Sequence, residues 1–539
     1  MRIEKAPDAI LCPLGRGRFS LVKTGRITGL TVLAAGLAVN PMSRAVAADG
    51  PDPVLTLMLE KGMITQDEAA KVQAQVDARL TNSAAPAAPY LDSKWKISSS
   101  IKSVELFGDL RTRFEDRSAA DPAGGKIDLQ RYRYAARVGL KGDLFDDFYY
   151  GFRLETSANP RSSWVTMGTQ SGSSSIYQGP FGKSPGGINI GQIYLGWKPD
   201  PWFEVTAGKM PNPLYTTPMV WSPSLSPEGL AEHFRYTVGE VDLFANLGQF
   251  LYQDVNPVQS SSGFFSSLDY NSANQPFLLA WQGGVDYHLT KTVDLKVAPA
   301  LCNYIGGPRN ITAAPTDNPD FGGTFVGQGG SATPGYSGYN VGDYDGFYAN
   351  QTGINDLFVL DIPFELNFKR KSCDLRLFGD YAQNLDGAAR AEAAYTQSRS
   401  SVYTANQTPI TAIASPQTHD NKAYQVGVAI GSTNSLGLVN GSSAGRHAWE
   451  VRTYWQHVEQ YSLDPNLIDT DFFSGDENMQ GIYAAVAYGF TGNFIGTFRY
   501  GYASRINDKL GTGGSGQDIP QMNPINEFQL IQVDLTVKF

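Results

Sequence analysis

The side chains best placed to do chemistry in this chain are arginines set in alternation. In "LQRYRYAARVGLKGDL" (129–144), Arg131, Arg133, Arg137 and Lys141 fall on one parity, and Tyr132, Tyr134, Ala136, Val138 and Leu140 on the other. Period-two spacing puts such cations on one face of a strand. Arg111, Arg113 and Arg153 hold the same parity on flanking segments, interleaved with Glu105, Asp109, Glu115 and Glu155. A guanidinium stays charged at any relevant pH, so a row of them biases anions or orients dipolar solutes. The interleaved carboxylates offer the opposite outcome, a row of neutralised structural pairs.

Other chemistries find little support. Catalysis by a nucleophile needs a base held beside it. The chain has five histidines, His233, His288, His419, His447 and His457, with no GxSxG and no Ser/His/Asp spacing. They read as rim or loop residues, and no enzyme is expected. The acidic stretch "DPNLIDTDFFSGDEN" (464–478) carries Asp464, Asp469, Asp471, Asp476 and Glu477. It lacks EF-hand spacing, so it reads as a solvated external loop, bridged at most by cations to lipopolysaccharide. The three cysteines, Cys12, Cys302 and Cys373, show neither CxxC nor metal spacing. Neither cofactor nor metal is implied.

The elements that position these arginines must be strands. Of 539 residues 42% are hydrophobic and 18% charged, which excludes disorder. With 57 Gly, 27 Tyr and 28 Phe, the composition is that of a β-rich protein. Charge is spread evenly, against nucleic-acid binding. From residue 104 onward, alternating segments of about ten residues recur, the length a tilted strand needs to cross a bilayer. The pattern predicts strands at 104–116, 128–142, 146–157, 187–198, 202–209, 232–238, 241–250, 276–289, 292–304, 354–368, 372–384, 422–431, 446–460, 479–490, 493–505 and 525–539. Their connections alternate in length. Short turns such as "GE" (239–240) and "KRK" (369–371), with a longer member at 432–445, alternate with long polar connections such as 158–186, 210–231 and 305–353. Short turns at one end and long loops at the other distinguish an outer-membrane barrel from a sandwich. The fold expected is an all-β, antiparallel transmembrane barrel of about sixteen strands. Cys302 and Cys373 would then stand near opposite ends, too far apart to bond.

In lipid an open sheet edge would leave a row of backbone groups unpaired, so the last segment must pair with the first. In "QLIQVDLTVKF", Ile531, Val533, Leu535, Val537 and Phe539 share one parity, predicted to face lipid, with Phe539 in an interfacial aromatic girdle.

Ahead of the barrel, "KTGRITGLTVLAAGLAVNPMSRAVAA" (23–48) carries Lys23 and Arg26, an apolar run and then small residues, the order of a secretory signal cleaved near Ala47 or Ala48. Residues 1–48 are assigned to it, with 1–22 an extension from an upstream start. Residues 49–93 read as a helical periplasmic segment, with a capping box at Thr65 and Glu68, followed by a Pro/Ala linker; the barrel occupies 94–539.

Several passages resemble the family of putative porins of Gram-negative outer membranes: "RYRYAARVGLKGDLFDDFYYGFRLET" (131–156), "GQIYLGWKPDPWFEVTAGKMPNPLYTTPMVWSPSLSPEGLAEHFRY" (191–236), "LFGDYAQNLD" (377–386) and "WEVRTYWQHVE" (449–459) with "DTDFFSGDENMQGI" (469–482). The resemblance covers most of the barrel and the "EKGMITQDEA" (60–69) preface. It implies a diffusion channel for small hydrophilic solutes or ions, contact with outer-membrane lipid and lipopolysaccharide, and a homotrimer. A last strand ending in Phe539, with Val537 and Leu535 beneath it, also resembles the signal read by the barrel-assembly machinery.

Sixteen strands leave an aqueous channel rather than a side-chain plug. Its expected lining is Arg111, Arg113, Arg131, Arg133, Arg137, Arg153, Arg376, Arg452, Arg499, Glu105 and Asp109, weakly favouring anions. By analogy with general porins, the third long connection, "KMPNPLYTTPMVWSPSLSPEGLAE" (209–232), is expected to fold inward and narrow the bore, with a rigid external cap as the alternative. It brings Pro211, Pro213 and Trp221, with Glu228 and Glu232 facing the basic wall. Two alternatives stay open: a substrate-specific channel for sugars or organic anions, and a non-conducting structural or adhesive barrel.

Overall fold

The computed structural model describes residues 98–122, 124–157, 162–168, 187–252, 276–305, 356–392, 415–512, 518–519 and 525–539, together with positions 61, 65, 67, 70 and 71. The expected signal at 1–48 and almost all of the helical segment at 49–93 lie outside the described residues.

The described chain is a single closed antiparallel sheet. Its strand segments are β1 (Glu105–Ala120), β2 (Lys126–Asp143), β3 (Phe148–Thr156), β4 (Val165–Thr166), β5 (Ile188–Asp200), β6 (Phe203–Lys209), β7 (Glu228–Val238), β8 (Val241–Leu251), β9 (Phe277–Thr290), β10 (Val293–Val297), β11 (Ala300–Ile305), β12 (Phe358–Asp361), β13 (Phe364–Lys369), β14 (Asp374–Asn384), β15 (Lys422–Gly431), β16 (Trp449–Val458), β17 (Met479–Gly489), β18 (Phe494–Arg505) and β19 (Glu527–Lys538). β10 and β11 are one crossing strand interrupted once, as are β12 and β13, and β4 is a two-residue extension beside β2, which leaves sixteen crossing strands. β1 pairs with β2 on one side and with β19 on the other, so no edge remains.

The interruptions have a cause. Pro299 and Pro363 stand in the two gaps, and proline has no N–H to give to a ladder. The gaps lie side by side, with Ala298 N donating to the Pro363 carbonyl at 3.1 Å and Gly283 N to the Pro299 carbonyl at 3.0 Å. Both segments had been expected as unbroken strands. The first hairpin also differs: β1 and β2 run further than 104–116 and 128–142, and the loop expected over 117–127 shrinks to residues 121–125.

Alternation sorts the side chains as expected. Val533, Leu535 and Val537 are 42–44% exposed on the outer face, opposite Phe114, Thr112 and Leu110. Exposed aromatics gather near the short turns: Phe145, Trp202, Tyr236, Tyr287, Trp449, Phe490 and Phe539. That is the girdle a bilayer interface selects. Inward positions are buried and polar, among them Asp109, Arg113, Glu115, Arg117, Gln282, Glu450 and Asp534.

Among the described residues, the connections that fold into the interior include three that are described over their full length. Residues 210–227, between β6 and β7, bury Met210, Leu214, Met219, Val220 and Trp221. The connection between β16 and β17 (459–478) buries Tyr461, Ser462, Leu463, Asp464, Asp476 and Glu477, so the acidic stretch expected as a solvated external loop is packed inside. The third is the long member among the short turns, residues 432–448, where Leu438 and Val439 are buried.

Candidate pore constriction

Neighbouring strands put the arginines side by side, and the register decides their partners. On β1 the inward residues are Asp109, Arg111, Arg113, Glu115 and Arg117; β2 sets Arg137 opposite Asp109 and Arg133 opposite Arg113; β19 sets Lys538 opposite Asp109 and Asp534 opposite Arg113. Arg113 is the hub. Its Nε and Nη2 donate to the two Asp534 oxygens at 2.7 and 2.8 Å, while Nη1 donates to Asp471 at 2.7 Å. Arg499 on β18 also donates to Asp534. This buried fork-to-fork geometry makes a charged pair tolerable away from water.

A second knot surrounds Glu115, which accepts from Arg117 and Arg131 and stands 3.7 Å from Arg133. Arg117 and Arg131 also reach Asp518. Arg137 and Arg111 share Asp109, at 2.6 and 2.8 Å. Arg153 pairs with Glu155, Arg452 with Glu450, and Arg376 with Glu365. Trp164, just before β4, lies beneath the guanidinium groups of Arg111 and Arg113, 4.8 and 4.3 Å from its ring. Its loop position gave no signal of this role.

The inward connection 210–227 is anchored on the opposite wall. Gln282 on β9 spends its whole amide there. Its Oε1 accepts from Tyr215 N (2.8 Å) and from Asn246 Nδ2 (2.9 Å), and its Nε2 donates to the carbonyls of Tyr215 (2.8 Å) and Ala298 (3.2 Å). Thr217 donates to Asp380, and Lys296 Nζ sits 4.0 Å from the Tyr215 ring. This connection also grips the other one: Ser222 N donates to the Leu467 carbonyl and Asp469 N to the Pro218 carbonyl.

Between the two sides lies a cavity of about 390 Å³. Its lining includes Arg111, Arg113, Arg137, Arg376, Arg452, Arg499 and Lys538 against Asp109, Glu365, Asp469, Asp471 and Asp534, seven basic side chains to five acidic. Asp469 and Asp471 come from the β16–β17 connection. Burial pushes the Asp469 carboxyl up, and the Asp471 charge adds to that. Burial works against the Asp471 charge too, but Arg113, Arg499 and Arg117 hold its carboxyl well below the usual range.

The expected residues divide accordingly. Arg111, Arg113, Arg137, Arg376, Arg452, Arg499 and Asp109 line the cavity. Arg131, Arg133 and Arg153 do not; the first two are drawn to Glu115 and the third to Glu155. Glu105 is exposed at the end of β1 and pairs with Lys141 at 3.1 Å. Of the inward connection, Tyr215, Thr216, Thr217, Pro218, Pro223 and Ser224 reach the cavity, whereas Pro211, Pro213 and Trp221 do not. Trp221 instead packs against Phe250.

Glu228 and Glu232 correct the expectation outright, because they belong to β7 rather than to the connection. Glu228 pairs with Lys209, and Glu232 accepts from Gln249 on the face that carries Leu230 and Phe234. At the seam, Phe539 N and O exchange bonds with Gly108, at 3.1 and 2.9 Å. Among the described residues no group of three His, Cys, Asp or Glu could hold a metal ion. Asp464 is occupied by Tyr252 and Asn466.

Residues 99–539 match the family model described as "Putative porin". No curated protein matches the chain. Among solved structures it is similar to an anion-selective porin from Comamonas acidovorans, at 9% identity and a TM-score of 0.39 over 81% of this chain and 99% of that one. It is also similar to OmpT of Vibrio cholerae, at 10% identity and a TM-score of 0.36 over 82% of this chain and 99% of that one.

Proposed function

We propose, from the premise that this chain belongs to the putative porin family and is an outer-membrane β-barrel channel, that its lumen passes small hydrophilic solutes and ions with a weak preference for anions. The observation that carries the preference is the cavity lining, where seven basic side chains meet five acidic ones. A small net positive field in a confined aqueous path raises the local anion concentration without excluding cations. The pairing of each arginine explains why the preference is weak: most of the wall's charge is cancelled within it.

The inward connection 210–227 narrows the bore through Tyr215–Pro218 and Pro223–Ser224. The short-turn end faces the periplasm, and the outer band meets lipid and lipopolysaccharide. Export by a signal peptide cleaved near Ala47 or Ala48, insertion by the barrel-assembly machinery and assembly as a homotrimer complete the reading. Intact mass of the mature protein tests the first, and native mass of the detergent-extracted protein tests the last.

The deciding experiment is single-channel recording in a planar bilayer under a salt gradient. Stable steps with a reversal potential on the anion side support the proposal. A cation-side reversal potential overturns the preference, and a verified folded barrel without conductance overturns the channel.

A further inference from the structure

The turn joining β15 to β16 is built to stay inside the barrel. Residues 432–448 take the place of a connection of a few residues at the other short-turn positions, and their middle is buried: Leu438 is 0% and Val439 2% exposed. Glu450, itself 0% exposed, accepts from Gly437 N at 2.8 Å and Val439 N at 2.9 Å through one oxygen, and from Arg452 Nη2 at 2.9 Å through the other. Arg499 Nη2 donates to the Val439 carbonyl at 3.0 Å, and Arg452 Nη1 to Asn440 Oδ1 at 3.2 Å. Gly437 and Gly441 have φ of +112° and +83°, which lets the chain reverse on itself at the tip. Val439, Asn440 and Gly441 thereby line the same cavity as the inward connection 210–227, approaching it from the opposite end.

One cation beside this tip stands apart from the paired wall. Lys538 lies opposite Asp109 in the β1–β19 register, but Asp109 is already shared by Arg111 and Arg137. Among the described residues the Lys538 ammonium makes no ion pair or hydrogen bond. A Cβ on Gly441 would stand 3.8 Å from its Nζ. Two of the three cations beside this tip are therefore paired with Asp109, and the third, Lys538, stands next to it in the register without a carboxylate of its own.

We propose that the 432–448 turn is a second filter at the short-turn end, and that Lys538, with Arg111 and Arg137, forms there a subsite for small oxyanions of the carboxylate or phosphate type. Such anions offer the acceptor oxygens that an ammonium and two guanidinium groups bind by charge-assisted hydrogen bonds. The inference rests on the channel reading above.

Two variants of the full chain test it by single-channel recording. In a Cys373→Ser background, with Cys302 buried, Asn440→Cys treated with a negatively charged methanethiosulfonate should lose about half its conductance, and react faster from the short-turn side. The Cys373→Ser parent should be unaffected. A thiol shown by mass to be modified, with conductance unchanged, overturns the filter. In the second arm, inorganic phosphate and, separately, acetate are titrated into a chloride solution. Each anion that uses the subsite should depress the wild-type current, about threefold less effectively in Lys538→Gln. Equal depression in both proteins, or none in either, overturns the subsite. A wild type that never conducts removes the channel reading itself, and the filter with it.

Discussion

The two sides of the barrel interior hold their contents by different chemistry. On β1–β3, β18 and β19 the wall is ionic: Arg117, Arg131 and Arg137 meet Glu115 or Asp109 of β1, and Arg113 meets Asp534 and Asp471 from distant segments. On β7–β9, apart from the Arg235–Asp242 pair near the turn, the wall is a hydrogen-bonded ladder of amides, running from His233 through Asn246 and Gln282 to the backbone of Tyr215. On the proposed reading, the ionic side sets the field in the bore, and the neutral side, by fixing the inward connection, sets its width. A charged wall can vary in net charge by one residue; a fully used amide such as Gln282 leaves no spare donor or acceptor, so it specifies one position only.

Breaking the ionic side should have the largest effect. Asp534→Ala leaves Arg113 and Arg499 without a shared carboxylate, and unfolding of the refolded barrel in urea should show a loss of about 3–5 kcal/mol. An unchanged midpoint would mean that water already serves these arginines. On the neutral side, Gln282→Leu strands the backbone of Tyr215 and the Asn246 amide at a cost of about 2 kcal/mol. Its current should also become noisier, which Asp534→Ala need not do.

Deleting 213–226 removes the segment proposed to set the width and should raise single-channel conductance about twofold. The same conductance as wild type would place the narrowing elsewhere. The smallest effect concerns Asp469. A carboxyl pushed up by burial takes its proton first as pH falls, and it is neutral below that point and charged above it. Anion preference should therefore grow as pH drops from about 7 to 5. Asp469→Asn should show the higher preference at both values, and a reversal potential that keeps its pH dependence would assign the titration to another group.

The alternation that sorts Leu110 from Arg111 and Val533 from Asp534 was readable in the sequence because a sheet in lipid permits only one sorting. The same rule applied to β7 would have put Glu232 with Leu230 and Phe234, away from the basic wall. Pairing was not readable. Nothing local joins Arg113 to Asp534 and Asp471, since closure of the sheet and the return of a connection create those contacts; Glu115, by contrast, meets Arg117 on its own strand and Arg131 across the first hairpin. Pro299 and Pro363 were visible, yet a long apolar alternation outweighed them. Inward folding of 459–478 was hidden by its composition: acidic residues suggest water until the arginines that receive them are placed.

The closing seam gives the chain a timetable. Arg113 and Asp534 are 421 residues apart in sequence, and β1 finds its second neighbour only in β19. A hairpin such as β17–β18 joins neighbours in the chain, but the first strand is closed only when β19 reaches it. Until then it carries a bare edge, the kind of surface that pairs with the wrong chain. The ring of Phe539, which rests where a Cβ on Gly108 would otherwise stand, then marks the moment at which waiting ends.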